Sequence, residues 1–139
     1  MKFTLTVKGS ETLVFSDTII NFANASIDTP KISMARSTDV AITVHISGKL
    51  LVDGEVEAAN NSLTSKLFEW SKTPAKSPEA YRDVTVTIAT EKNLFRQIHL
   101  PNAFVVSYSE IYNELRGVGE FSLILRQKAD KVDDVKLNT

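Results

Sequence analysis

Between Leu94 and Gln127 apolar and polar residues alternate in steps of two, and this period restricts what the whole chain can become. Leu94, Ile98 and Leu100 are spaced two or four apart around Gln97 and His99. Phe104, Val106 and Tyr108 alternate with Val105, Ser107 and Ser109, and Phe121, Leu123 and Leu125 alternate with Ser122, Ile124 and Arg126. A period of two sends successive side chains to opposite faces of a sheet. Residues 94–127 therefore read as consecutive antiparallel strands with a broad apolar face. Pro101-Asn102 and Gly117-Val118-Gly119 separate them, the two glycines supplying turn geometry.

The rest of the chain repeats the theme. Phe3, Leu5 and Val7 predict a first strand, which residues 12–15 close into a hairpin. Val40, Ile42, Val44 and Ile46 predict a β-branched strand, with Gly48 loosening its end. Val84, Val86 and Ile88 predict another, turning through Thr90-Glu91-Lys92-Asn93 into the Leu94 strand. One helix is expected, on the stripe Val56, Ala59, Leu63, Leu67 and Trp70, which recurs every three or four residues. Asn60, Asn61 and Ser62 could cap a later start, and Pro74 and Pro78 stop it.

Two segments lack a pattern. Residues 23–38 read as a long polar loop, with Ile27, Ile32 and Met34 scattered through it; it is either a plain surface loop or a binding arm. Residues 128–139 are charged and read as a loosely held tail, or one ordered only by a neighbour. The expected class is mainly β: one domain spanning 1–139, an antiparallel β-barrel or two-sheet sandwich with one flanking α-helix.

At 139 residues the chain is long enough to hold a core without staples. With no cysteine it has neither disulfides nor a thiolate site, which fits a reducing cytosol. Sixteen basic and 17 acidic residues give a net charge of −1, so no sequence-specific nucleic-acid partner is expected. No apolar run has the length of a signal core or a membrane anchor.

Residues that do chemistry are sparse. His45 and His99 both fall on the polar phase of strands, without metal-ligand spacing. No serine sits in a nucleophile elbow, and Gly117-Val118-Gly119 precedes a strand where a dinucleotide signature would follow one. No cofactor, metal or catalytic residue is expected. What remains is assembly: sheet edges must be covered, charged or paired with another chain. The alternatives are a monomeric small-molecule-binding β-barrel with Phe104 and Tyr108 at its pocket, and a hydrolase using a serine, one histidine and a carboxylate.

Tyr81-Arg82-Asp83-Val84-Thr85-Val86, Leu100-Pro101-Asn102-Ala103-Phe104-Val105-Val106 and Gly119-Glu120-Phe121-Ser122-Leu123 resemble tube proteins of contractile injection machines, the phage tail-tube and haemolysin-coregulated tube proteins. The resemblance covers about residues 39–128. It implies a small β-barrel with a helix outside it, six subunits to a ring, and rings stacked into the tube of a phage-like particle. Its implied partners are other copies of the chain, sheath, baseplate or spike proteins, and cargo in the lumen. It implies assembly in the bacterial cytoplasm before the particle is released. By the same resemblance Asp28, Lys31, Ile32, Met34 and Arg36 belong to the loop that stacks rings, and Leu63, Leu67 and Trp70 to the flanking helix.

Overall fold

The computed structural model describes residues 1–30, 40–50, 55–114 and 118–139, with the backbone alone for 55–61 and 118. Their strands are β1 (Lys2–Lys8), β2 (Thr12–Phe15), β3 (Ile20–Asp28), β4 (Ala41–Leu50), β5 (Arg82–Ala89), β6 (Leu94–Asn113), β7 (Val118–Gln127) and β8 (Lys136–Asn138). The helix is α1 (Glu55–Ser71), and 3₁₀ turns occupy Pro78–Ala80 and Ala129–Asp134.

Every ladder is antiparallel, and the strands run in the order β2-β1-β5-β6-β7-β4-β3, with β8 added to β6. The sheet curls until β3 comes beside β1, where no ladder joins the two among the described residues. The result is a barrel with one seam. Its interior is filled by the inward phase of the strands, including Leu5, Val7, Val44, Ile46, Val84, Val86, Leu100, Phe121, Leu123 and Leu125. These are the residues whose alternation is visible in the sequence, because a strand with one face in the core must be apolar at every second position.

Helix α1 lies against β2, β4 and β6. It starts at Glu55, ahead of the Asn60 cap, and ends at Ser71, before Pro74. Leu67 and Trp70 are buried and Leu63 is half-buried against the core. Trp70 Nε1 donates to the Ala80 carbonyl at 3.0 Å, and the Arg82 guanidinium stacks 5.0 Å from the Trp70 ring. One indole therefore ties the helix end to the 3₁₀ turn and to the start of β5. Lys66 reaches Glu11 at 3.0 Å and fastens the helix to the β1–β2 turn.

The structure corrects several expectations. Residues 94–113 are one continuous strand, not two: β6 pairs with β5 through Ala103 and with β7 from Ala103 onward. Pro101 falls at a register shift between β5 and β6, where a residue without N–H is tolerated inside a strand. Residues 23–28 belong to β3 and not to a loop. They lack a readable period because β3 borders the sheet: Ala23 and Ala25 are small, Asn24 and Ser26 are polar, and the ladder to β4 imposes the strand. Of the expected stacking residues, Asp28 ends β3, while Lys31, Ile32, Met34 and Arg36 lie outside the described residues.

The tail 128–139 is held, not loose. Lys128 N donates to the Asn102 carbonyl at 2.8 Å, Val132 and Val135 pack on the core, and β8 pairs with Gln97–His99. The buried Gln127 clamps it: its Oε1 accepts from Asn102 N at 3.1 Å and its Nε2 donates to the Lys131 carbonyl at 2.8 Å. The charges point to solvent while two valines and backbone bonds supply the anchorage. Gly119 lies within β7 and Gly48 within β4, both at close approaches of side chains and not at turns or frayed ends.

Candidate functional site

The ladders assign each residue to a face. Ser26, Thr43, Arg126 and Phe104 are successive partners across β3, β4, β7 and β6, as are Ala25, Val44, Leu125 and Val105 one step along. Val44 and Leu125 point into the core, so the row through Thr43 and Arg126 points away from it. The outer face of these four strands carries Thr43, His45, Ser47, Ser122, Ile124 and Arg126, all half-buried. It is mostly polar, and Arg126 is the one ionised side chain among these six.

The two histidines have separate partners. His45 Nε2 lies 2.6 Å from Ser122 Oγ and 3.4 Å from Ser47 Oγ, with the Phe22 ring edge-on at 5.2 Å. His99 Nε2 lies 2.7 Å from Asp83 Oδ2 on the β5–β6 ladder. A serine hydrolase needs serine, base and carboxylate in one chain of hydrogen bonds; here the serine is on one histidine and the carboxylate on the other. Among the described residues no group of three His, Cys, Asp or Glu side chains could hold a metal ion. No described helix is long and apolar enough to cross a membrane.

The small-molecule alternative placed Phe104 and Tyr108 in one pocket. Phe104 lines a cleft of about 190 Å³ with Trp70, Ala80, Tyr81 and Val105. Tyr108 instead stacks on Phe121 at 6.2 Å and meets the edge of Phe68 at 6.3 Å. The cleft is smaller than the ~300–1,000 Å³ usual for small-molecule sites.

Tyr108 and Tyr112 both donate to the Glu110 carboxylate, Tyr108 at 2.7 Å. Burial and then the Glu110 carboxylate push the Tyr108 phenol well above its ordinary value, because both disfavour a phenolate. A raised folded-state pKa means the folded protein keeps a proton that the unfolded chain releases. Stability from this group is full below about pH 10, the ordinary tyrosine value, and is lost as pH rises beyond it. We expect urea midpoints to fall above about pH 10, and Tyr108→Phe to flatten that fall; an unchanged slope in the variant would exclude Tyr108 as its source.

Edges are the other candidate features. A sheet edge exposes unpaired N–H and C=O groups, and proteins commonly blunt it with short strands, lysine, proline or a cover. Edge strand β2 has four residues and lies against α1. Where β7 leaves β6, β8 covers Gln97–His99 on the same side. Two edges are less defended. β6 from Phe104 to Asn113 has β7 on one side and, among the described residues, no strand on the side that β5 has left. β3 from Asn24 to Asp28 has β4 on one side. Neither stretch holds lysine, arginine or proline. Both display large apolar side chains: Ile27 is 66% exposed, Ile111 64% and Tyr112 74%. These edges were missed in the sequence, because an edge is defined by which strand is absent beside it; the cleft beside Phe104 shares that one residue with the expected pocket.

No protein-family model matches this sequence, and no curated protein does. Solved structures do match. The Hcp1 protein of E. coli EAEC 042, in a doubly substituted form, superposes with a TM-score of 0.57 at 9% identity, over 100% of this chain and 99% of that one. A chain of the sheath/tube terminator of an extracellular contractile injection system, PVC, superposes with a TM-score of 0.56 at 12% identity, over 99% of this chain and 94% of the other. The PVC sheath-tube complex in its extended state contains a third, with a TM-score of 0.54 at 12% identity, over 99% and 88%. The fold is that of a contractile-injection tube protein.

The tube-protein fold embraces the whole described chain, wider than the 39–128 span of the sequence resemblance. It includes the opening hairpin, β3 and the closing tail. At such identities the likeness is one of backbone fold, not of shared side chains.

Proposed function

We propose that this chain is the structural subunit of an inner tube: it assembles into hexameric rings, stacked as the conduit of a contractile, phage-tail-like injection or secretion particle. The observation that carries this reading is the tube-protein fold over the full length of the chain. The two poorly defended edges support it. β3 and β6 are unlike surfaces on opposite sides of one four-stranded sheet, so joining them head to tail makes a heterologous contact that closes into a ring when the rotation permits. Alternation along β3-β4-β7-β6 makes the β3–β6 junction between copies antiparallel as well. The polar outer face of those strands would then line the lumen and meet cargo, while α1 faces outward toward a sheath. Baseplate or spike proteins would meet the tube's ends. Residues 28–36, starting from the last residue of β3, would contact the next ring. Assembly would take place in the bacterial cytoplasm before the subunits leave in the particle.

Sedimentation and negative-stain imaging of the purified protein test this. Rings or rods are expected, and a monomer at every concentration would count against a self-assembling tube. Shortening residues 28–36 should leave rings intact and reduce their stacking; unaltered stacks would refute that role for the segment.

A further inference from the structure

We infer that a ring whose lumen is walled by β3, β4, β7 and β6 selects polypeptide cargo with acidic surface patches, and that Arg126 sets this sign. This rests on the ring reading and adds the chemical class of what the lumen accepts.

Successive outward rows cross this wall, from Phe22, Asn24 and Ser26 on β3 to Ser109, Ser107 and Phe104 on β6. No position in these rows is a carboxylate, and Arg126 carries their one permanent charge. Rows on one face follow each other at about 6.7 Å, twice the rise of a strand, so the carboxylate-free belt is roughly 13 Å tall. Among the described residues, the carboxylates of this face stand at its ends. Glu120 lies opposite Lys49, which offsets it, and Asp28 is the last residue of β3.

Arg126 is held in place but not neutralised. Its Nε donates to Thr43 Oγ1 at 3.3 Å on the β4–β7 ladder. Among the described residues no carboxylate pairs with it, so its charge is not cancelled within the chain. A guanidinium stays charged at every working pH and grips a carboxylate with two parallel N–H groups. Spacing then chooses between anionic partners. Strands stand about 4.8 Å apart, so four of them set the Arg126 backbones of successive copies roughly 19 Å apart around the wall, whatever the stagger between copies. A DNA duplex carries a charge every ~1.7 Å and is held by dense basic tracks. Cations as sparse as these meet separate acidic patches on a polypeptide, while the serines and Asn24 between them offer hydrogen bonds.

The test uses rings of the full chain and a small helical-bundle protein made with an acidic and with a basic surface, at net charges of about −8 and +8. Fluorescence anisotropy at low salt should show the acidic version bound about tenfold more tightly than the basic one. Arg126→Gln should weaken binding of the acidic version about tenfold, because the contacts around a ring act together. Arg126→Lys should keep the preference and Arg126→Glu should reverse it. Lys72→Gln, on α1, should change nothing. Negative-stain images and circular dichroism establish that each variant still folds and forms rings. Rings that bind both versions alike, that prefer a single-stranded oligothymidine, or that lose the acidic version through Lys72→Gln would overturn the inference and leave the ring reading standing. Absence of rings from the unmodified protein would remove both.

Discussion

Gly48→Ala is expected to destabilise the protein by about 3 kcal/mol, the upper part of the range for overpacking a filled core. A Cβ on Gly48 would stand 2.6 Å from Phe121 Cε1 and 2.7 Å from the Ile19 carbonyl oxygen. Neither neighbour can retreat cheaply. The Ile19 carbonyl accepts from Lys49 N at 2.9 Å, and the Phe121 ring is held between Phe15 at 6.5 Å and Tyr108 at 6.2 Å. For a chain of this length such a loss lowers Tm by roughly 10 °C. Two controls give the effect its meaning. At Gly119 a Cβ would meet Leu50 Cδ1 at 3.0 Å, and at the exposed Gly9 only the Arg82 side chain, at 3.1 Å. Thermal melts should rank Gly48→Ala as the most harmful and Gly9→Ala as the mildest. If Gly48→Ala melts with Gly9→Ala, the close approach of β4, Ile19 and Phe121 is wrong.

Trp70→Ala should cost about 3–5 kcal/mol, the range for emptying a buried aromatic site. Trp70 fills the space between α1, the 3₁₀ turn and β5, and its loss also removes the stacking surface of Arg82 and the donor to the buried Ala80 carbonyl. Arg82 depends on this site: burial lowers its pKa, and only afterwards do Glu79 and Glu11 oppose that shift. Trp70→Phe separates the contributions. It keeps a ring in the core and leaves the Ala80 carbonyl unpaired, which costs about 1–3 kcal/mol. Urea unfolding followed by circular dichroism should therefore order the proteins wild type, Trp70→Phe, Trp70→Ala. Equal stability of the two variants would mean that the hydrogen bond, not the packing, holds the helix. Against a total stability of about 5–15 kcal/mol, Trp70→Ala alone can leave much of the chain unfolded.

What could be read beforehand follows from how each element is stabilised. β1, β4, β5 and β7 bury one face, so their inward residues recur at every second position. Helix α1 buries a stripe, so Leu63, Leu67 and Trp70 recur at helical spacing. The absence of cysteine and the near-zero net charge likewise narrow the chemistry before any fold is known.

β3, the continuity of β6 and the tail were not legible. β3 is a strand because β4 offers it a ladder, not because its own residues alternate. β6 runs through Pro101 because its partner changes there. The tail is held by Gln127, two valines and the Gln97–His99 edge, contacts that depend on residues far away along the chain. The separation of His45 with Ser122 from His99 with Asp83 is also a matter of which strands lie side by side. The sequence by itself determined the inward residues, the helix and the β class, because burial leaves a local period. Only the tertiary structure decided the edges, the seam, the cleft beside Phe104 and the side-chain partners, because those depend on which strand stands next to which.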